Sequence, residues 1–400
     1  MVEGEQENLM WGKKILFVTT ISWTLSAFLL PYAEAIRKKG GIIDAMCSGA
    51  TDEIEEHFRK IWSIEFTRNP LLVLLFLPYL LIRIRNIISR EGYDIVHVHT
   101  PIASFISRMS MGLIGKSKRP LVVYTAHGFF FHPLGGKAYN WIFKILERMA
   151  AKYTDYLITI NEWDFNEAKK LKLIEDSRIY YIKGIGVDTR IYNYYAIDES
   201  YRDKIRKDLN CLDNEILLCT IGEFIRRKRH RDILYASEYL MDIPVKVVFV
   251  GCGKLKNKIR RLINKMRLQD RVILAGYRSD IPDVLSACDT LIFPSIKEGM
   301  PRVVMEAMSM KTPVVAYDIR GVRELLSDGC GILVEPRNVK QLADAIRLIL
   351  ENERETVEMT ERAFKKILRE FDIDVVMPQH LAVYERAIIE RAYRIKGLLI

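Results

Sequence analysis

The sequence has no C-x-x-C pair. Its six cysteines, Cys47, Cys211, Cys219, Cys252, Cys288 and Cys330, are scattered and mostly lie within apolar runs. Buried free thiols in a reducing compartment fit that pattern better than disulfides or a zinc site. Also missing is an amino-terminal signal with a basic start, an apolar middle and a small-residue cleavage site. MVEGEQENLMWG is acidic and polar, and residues 1–12 read as a disordered lead. There is no repeat at a solenoid period. No glycine-rich nucleotide motif is complete: GCGKLK, from Gly251, starts like a dinucleotide fingerprint but has Lys256 where the last glycine belongs, and it is not G-x4-G-K-[ST]. Neither a dehydrogenase nor a P-loop NTPase is supported. The only D-x-D, Asp372 to Asp374, lies far from any strand end, where a helix cap or a surface pair is the expected role.

What is present is 400 residues, 49% of them hydrophobic, enough for two cores of about 200 residues each. Short β-branched runs alternate with longer mixed segments. KILFVTT, DIVHVHT, PLVVYTAHG, YLITI and IYYIKG come before residue 190; EILLCTIGE, VKVVFVGCG, VILAGY, TLIFPS, PVVAY and GILVE come after it. Runs that are hydrophobic throughout, joined by helix-length segments, predict parallel sheets covered on both faces. We therefore expect an α/β chain with a first domain over 13–190, a linker over 191–213, a second domain over 214–371 and a C-terminal helix over 372–400 that crosses back to the first domain.

In open parallel sheets, ligands sit beyond the carboxyl ends of the strands. PSIKEGMPRVVMEAMSM, Pro294 to Met310, follows the run TLIF and carries Glu298 and Glu306, separated by seven residues. Gly299 allows close backbone approach, and Pro301 suits the first position of a helix. The amides around Gly299 and Met300 would then form an anion site at a helix N-terminus, able to take a phosphate. Glu306, further into the helix, can accept bonds from vicinal hydroxyls, and Glu298 can do so from another polyol. A dipole-complementing glutamate plus a solvated one would give the same spacing. RRKRHR, Arg226 to Arg231, follows the strand LLCTIGE and offers cations, although an isolated run of this kind also suits a solvated face or a nucleic-acid patch. His127 stands at the end of VVYTA, where a lone histidine can equally be structural. His97 and His99 alternate along one strand face, and His99, with Thr100 and Pro101, reads as shaping a cleft rather than doing chemistry. Arg278 in GYRSDIP can simply pair with Asp280.

DIVHVHTP, VVYTAHGFFFH, YLITINEWDF, GIGVD, IGEFIRRKRH, GYRSDIPDVLSACD, PSIKEGMPRVVMEAM and IRGVREL resemble, in order and spacing, the retaining glycosyltransferases of family 4. The resemblance covers most of residues 13–390 and is nearest to bacterial-type members that extend capsule, exopolysaccharide or lipid-linked glycans. It implies a GT-B α/β fold of two facing Rossmann-like domains. It also implies an anomer-retaining transfer of a hexose or N-acetylhexosamine from a nucleotide sugar, with UDP the expected nucleotide. By resemblance to the E-x7-E signature, Glu298 holds donor-sugar hydroxyls and Glu306 the nucleotide ribose. His127 faces the donor sugar and assists transfer, and Lys228 falls at the phosphate-binding lysine. Glu223 stands where many relatives carry an arginine, so Arg226 and Arg227 are candidate substitutes. Arg278 falls where relatives cover the base, and Arg320, in the glycine turn, is a candidate diphosphate or acceptor contact. No cofactor and no metal are expected, since Lys and Arg can stabilise a leaving diphosphate. Other readings are a nucleotide-sugar epimerase of the same fold and a catalytically silent glycan-binding or membrane scaffold. The order of the motifs argues against the first, and the intact His127, Lys228, Glu298 and Glu306 set argues against the second.

The expected partners are a nucleotide-sugar donor, a glycan or polyprenyl-diphosphate-linked acceptor, and an anionic membrane surface, with no nucleic acid. PLLVLLFLPYLLIRIRNIISR, Pro70 to Arg90, is apolar from Leu71 to Ile82, short of the roughly 20 residues that a span needs, and it is interrupted by Pro78 and Arg83. It is expected not to span. Followed by Arg83, Arg85 and Arg90 in a chain of net charge +10, it instead suits peripheral attachment at the inner face of the cell membrane, on the cytoplasmic side. A first-domain helix packed on the sheet is the other reading of this stretch.

Overall fold

The β-branched runs form two parallel sheets, one in each of two units: residues 1–185 with 377–400, and residues 186–376. The computed structural model describes residues 9–67 and 69–395. The first unit has strands β1 (Lys14–Ile21), β2 (Ile42–Ser48), β3 (Ile61–Ser63), β4 (Ile95–Val98), β5 (Leu121–Ala126), β6 (Tyr156–Thr159) and β7 (Ile179–Tyr181). Their order is β3-β2-β1-β4-β5-β6-β7, with every pairing parallel. Because β1 lies between β2 and β4, the chain changes direction across the sheet there. The gap at the carboxyl ends of β1 and β4 is the topological switch point.

The second unit repeats this plan with β8 (Ile216–Ile221), β9 (Val245–Val250), β10 (Val272–Gly276), β11 (Thr290–Phe293), β12 (Val314–Tyr317) and β13 (Ile332–Val334), in the order β10-β9-β8-β11-β12-β13. Its switch point lies between β8 and β11. Leu218, Val247, Phe249, Ile292 and Val315 put the strands' apolar faces into one core with Ile233, Leu342 and Ile346 of the covering helices. The helix Ile373–Ile395 carries the chain back to the first unit, where Glu390 accepts from the Tyr156 hydroxyl at 2.5 Å and pairs with Arg178 at 3.3 Å. Asp372 caps that helix, accepting from the Asp374 amide at 2.7 Å.

Several expectations change. The strand runs omitted β2 because Asp44 interrupts IIDAMCS, yet Asp44 is fully buried. Arg59 donates to it from Nε at 2.9 Å and from Nη2 at 2.6 Å, and the Tyr93 hydroxyl donates to it at 2.6 Å. A buried charge survives when its partners replace water, and hydropathy cannot register such partners. Of the lead, residues 1–8 lie outside the described residues, but Leu9–Gly12 form a turn in which Met10 is fully buried. The segment 191–213 is no open linker: it carries the helix Glu199–Asp208 and belongs to the second unit. Five cysteines are buried thiols and Cys252 is exposed. The last five residues of the crossover helix range, 396–400, lie outside the described residues.

Neither Pro78 nor Arg83 breaks the apolar stretch. One helix, Pro70–Glu91, runs through both for 22 residues. The Asn69 side chain accepts from the Leu71 amide at its start, and Gly92 in the left-handed region ends it. Among the described residues it is the one helix long and apolar enough to cross a membrane by length and composition. Its second half is spoken for: Leu80, Ile84, Ile87 and Ile88 are buried in the first-unit core. Its first half exposes Leu71, Leu74, Leu75 and Phe76.

Candidate functional site

The second-unit residues gather where β8 and β11 end. After β8, Gly222 and the 3-10 turn Arg226–Lys228 carry the chain, and after β11 Ser295 leads to Glu298. One oxygen of Glu298 accepts from Arg227 Nη1 at 2.5 Å and from Ser295 Oγ at 2.6 Å, and lies 2.9 Å from Lys228 Nζ. Arg227 also donates to the Lys297 carbonyl at 3.0 Å. Burial pushes the Glu298 carboxyl up, but Lys228 and Arg227 overcome it and hold the group below the usual carboxylate range. Burial lowers Lys228, and Glu298 only partly restores it. The result is a fixed carboxylate able to grip hydroxyls, with two cations beside it able to meet developing phosphate charge.

Two glycines make this packing possible. A Cβ on Gly321 (φ +73°) would lie 1.8 Å from the Gly299 carbonyl oxygen, and one on Gly251 (φ +137°) would lie 2.1 Å from that of Gly222. The glycine turn of IRGVREL therefore lies directly on the Glu298–Gly299 backbone, and Arg320 Nε donates to the Glu298 carbonyl at 3.0 Å.

The other sequence-predicted residues take different surroundings. The helix after the motif is Arg302–Ser309 with Pro301 as its N-cap, so Gly299 and Met300 precede its first turn instead of forming it. Glu306 is buried inside that helix and paired with Arg302 Nε at 2.8 Å. Burial raises its carboxyl, opposed by Arg302 and a hydrogen bond from Tyr192. Arg278 forks onto Asp280, with Nε donating to Oδ1 at 2.8 Å and Nη2 to Oδ2. Arg226 is exposed. In the same basic run, Arg229 binds Asp232 through two bonds of 2.7 and 2.8 Å, a structural fork. Ser295, Tyr192 and Arg302 escaped the sequence reading. Only Arg302 left a signal, standing four residues before Glu306 on a helix.

In the first unit, the switch point holds histidines. His97 on β4 is bonded to Thr125 Oγ1 at 2.8 Å and to the Tyr384 hydroxyl. His99 Nδ1 lies 3.0 Å from His127 Nε2, and His380 Nε2 lies 3.4 Å from the Gly184 carbonyl. These rings, with Phe17 and Tyr32, line one small cavity. Burial pushes His127 and His380 down to about 4, and His97 and His99 well below the usual range, so all four are neutral at pH 7.

Two parallel α/β units with a terminal helix returning to the first define the GT-B class. Solved structures agree at the level of the fold: the Anabaena protein HepE in complex with UDP and glucose matches with a TM-score of 0.77 and 21% identity, covering 94% of this chain and 100% of that one. Sucrose-phosphate synthase from Thermosynechococcus elongatus matches with a TM-score of 0.78 and 18% identity, over 94% and 100% of the two chains. The family model "Glycosyltransferase Family 4" matches residues 28–190, and "Glycosyl transferases group 1" matches 201–366. A Bacillus subtilis protein named as a glycosyltransferase, EpsD, is 31% identical over 79% of this chain and 82% of its own length. The UDP-Gal:alpha-D-GlcNAc-diphosphoundecaprenol alpha-1,3-galactosyltransferase of Escherichia coli is 29% identical over 73% of this chain and 75% of its own. The chain belongs to glycosyltransferase family 4.

Proposed function

We propose that this glycosyltransferase moves a hexose or N-acetylhexosamine from a UDP-sugar to a glycan or polyprenyl-diphosphate-linked acceptor in surface polysaccharide or glycoconjugate synthesis, with retention and without a metal. The observation that carries the reading is the Glu298 carboxylate fixed by Lys228, Arg227 and Ser295 at the switch point of the second sheet. The relative from Escherichia coli named above, and the N,N'-diacetylbacillosaminyl-diphospho-undecaprenol alpha-1,3-N-acetylgalactosaminyltransferase of Campylobacter jejuni, 23% identical over 94% of this chain, support the donor and acceptor classes by their names.

In this mechanism Glu298 holds donor-sugar hydroxyls while the sugar gains oxocarbenium character. Lys228 and Arg227, with Arg226 and Arg320, stabilise the departing diphosphate, and the leaving oxygen takes the proton of an acceptor attacking from the same face. His127 assists at the donor sugar. Glu306 binds the ribose, exchanging part of its hold on Arg302 for hydroxyl hydrogens. Arg278 lies by the base, and the amides at Gly299 and Met300 contribute to the diphosphate. The chain works as a peripheral protein at the cytoplasmic face of the membrane, where the apolar first half of the Pro70–Glu91 helix meets anionic lipid.

A thermal-shift panel of nucleotide sugars, followed by mass and anomeric analysis of products with a polyprenyl-diphosphate-linked acceptor, tests this. The expected result is stabilisation by a UDP-sugar and one added α-linked sugar. Free rearranged sugar without glycosylated acceptor would instead establish an epimerase, and binding with no product a silent scaffold.

A further inference from the structure

We propose that His99 is a positioning residue that fixes the neutral tautomer of His127, leaving the His127 Nδ1–H to donate to substrate. The inference rests on the assignment of His127 to the donor sugar.

The 3.0 Å approach of His99 Nδ1 to His127 Nε2 needs one proton between the two nitrogens. Both rings are neutral, so each carries a single N–H and only one of them donates. The other nitrogen of His99 decides which. Nε2 is buried and has no hydrogen-bond partner among the described residues. A proton on Nε2 would orphan a buried donor, whereas a proton on Nδ1 satisfies the pair and leaves only a bare ring nitrogen, the cheaper omission. His99 therefore donates from Nδ1, His127 accepts at Nε2, and the His127 proton resides on Nδ1. That makes His127 a hydrogen-bond donor, suited to an oxygen of the sugar or of the departing phosphate, and not a base.

The backbone around His99 is built to hold this geometry. Its amide donates to the Val18 carbonyl at 2.8 Å. The next residue, Thr100, has φ +52°, a costly conformation for a β-branched residue. It is kept there by Thr20, whose amide donates to Thr100 Oγ1 at 2.9 Å and whose hydroxyl lies 2.8 Å from the same oxygen. On the other side the His97 ring, itself bonded to Thr125 and Tyr384, lies 3.9 Å from the His99 ring between centroids. The titratable groups around the cavity are His97, His127, His380, Tyr32 and Tyr384. Strain of this sort persists where surrounding structure over-determines it, commonly at functional sites.

The test compares His99→Asn, whose side-chain amide nitrogen falls near the Nδ1 position, with His99→Leu, which removes the donor. Turnover, donor KM and thermal melts are measured on the full chain with UDP-sugar and acceptor, alongside 15N NMR of histidine-labelled wild type, with the His127 signals assigned by difference from His127→Ala. We expect His99→Leu to lower kcat about ten-fold or more with donor KM little changed, His99→Asn to recover most of it, and the His127 signals to report a proton on Nδ1. Equal rates for the Asn and Leu variants, a wild-type rate for Leu, or a proton on His127 Nε2 would each overturn the proposal. The NMR reading needs no His99 substitution, so it decides even if the Leu variant does not fold. Full activity in His127→Ala would instead remove His127 from the reaction, while the tautomer would still show whether His99 sets it.

Discussion

Lys228 Nζ and Glu298 Oε1 stand 2.9 Å apart, and Arg227 shares the same carboxylate oxygen. The pair is mostly withdrawn from solvent, with side-chain exposures of 14% and 12%, so each charge leans on the other. An arriving diphosphate competes with Glu298 for the two cations, and an arriving sugar competes with them for the carboxylate. Substrate binding on this view rearranges an existing ion cluster and does not have to assemble one.

The two glutamates should therefore fail differently. Glu298→Gln keeps the shape but removes the charge that faces Lys228 and Arg227, and it should mainly lower kcat. Glu306→Ala strips Arg302 of its buried partner and should mainly weaken nucleotide binding. Losing a charge-assisted hydrogen bond costs about 1.5–3 kcal/mol, or roughly ten-fold and more in the affected parameter. Steady-state kinetics and calorimetry with UDP check both, and unchanged kcat and affinity in both variants would sink the assignment.

The parallel architecture was legible because covered strands are apolar along nearly their whole length, as in LVVYTA and in VKVVFV, where Lys246 is the one charged interruption. Glu298 was legible because it stands in the loop that leaves such a run, β11, at its carboxyl end. What stayed hidden depended on partners distant in sequence. β2 was lost to Asp44, whose neutralising Arg59 and Tyr93 lie 15 and 49 residues away. His99 was read as a cleft wall because its partner, His127, is 28 residues on and arrives only when β4 and β5 pair. In the sequence, Pro78 and Arg83 divide the apolar stretch that forms the helix Pro70–Glu91. An exposed proline in a helix otherwise anchored by buried Leu80, Ile84 and Ile88 need not end it.

Transfer should survive chelation. In the proposed mechanism Lys228 and Arg227, paired with Glu298, meet the developing diphosphate charge, and the D-x-D is used locally, Asp372 capping the last helix through the Asp374 amide. Product formation with UDP-sugar should be unchanged within about two-fold in excess EDTA. Loss of transfer that manganese or magnesium restores would refute this.

The histidine cluster predicts acid lability. An unfolded histidine titrates near 6.5, whereas His127 and His380 are pushed down to about 4 by burial. Below the unfolded value, the unfolded chain takes up protons that the folded chain refuses, so stability is fully present above about pH 6.5 and is lost as pH falls toward about 4. Each unit of depression corresponds to about 1.4 kcal/mol per group. The melting temperature should fall by several degrees between about pH 7 and pH 5, and less steeply in His380→Gln, since that removes one of the four groups. Identical slopes in the two proteins would assign the acid loss to carboxylates instead.

The last prediction concerns the exposed half of the Pro70–Glu91 helix. Leu74 is 68% and Phe76 49% exposed, although burying such side chains is worth about 1.5–3 kcal/mol each. Leu71 and Leu75 extend the same surface, while Leu80, Ile84, Ile87 and Ile88 fix the other half to the core. The helix cannot leave the sheet to cross a bilayer without giving up that core; in the proposed peripheral attachment its exposed half lies on the membrane instead. The helix Lys137–Ala151 exposes Tyr139 and Trp141, side chains that favour a water–lipid boundary, beside the apolar Ile142. Arg85 and Arg90 are exposed, and the chain carries a net charge of +10, which suits an anionic leaflet at about 1 kcal/mol per well-placed cation. The protein should sediment with anionic vesicles, less so at high salt. The double variant Leu74→Ser, Phe76→Ser should lose about ten-fold or more of that binding while keeping its melting temperature, because neither side chain is part of the core. Equal partition onto neutral and anionic vesicles, or no sedimentation with either, would show that this surface is not a membrane contact.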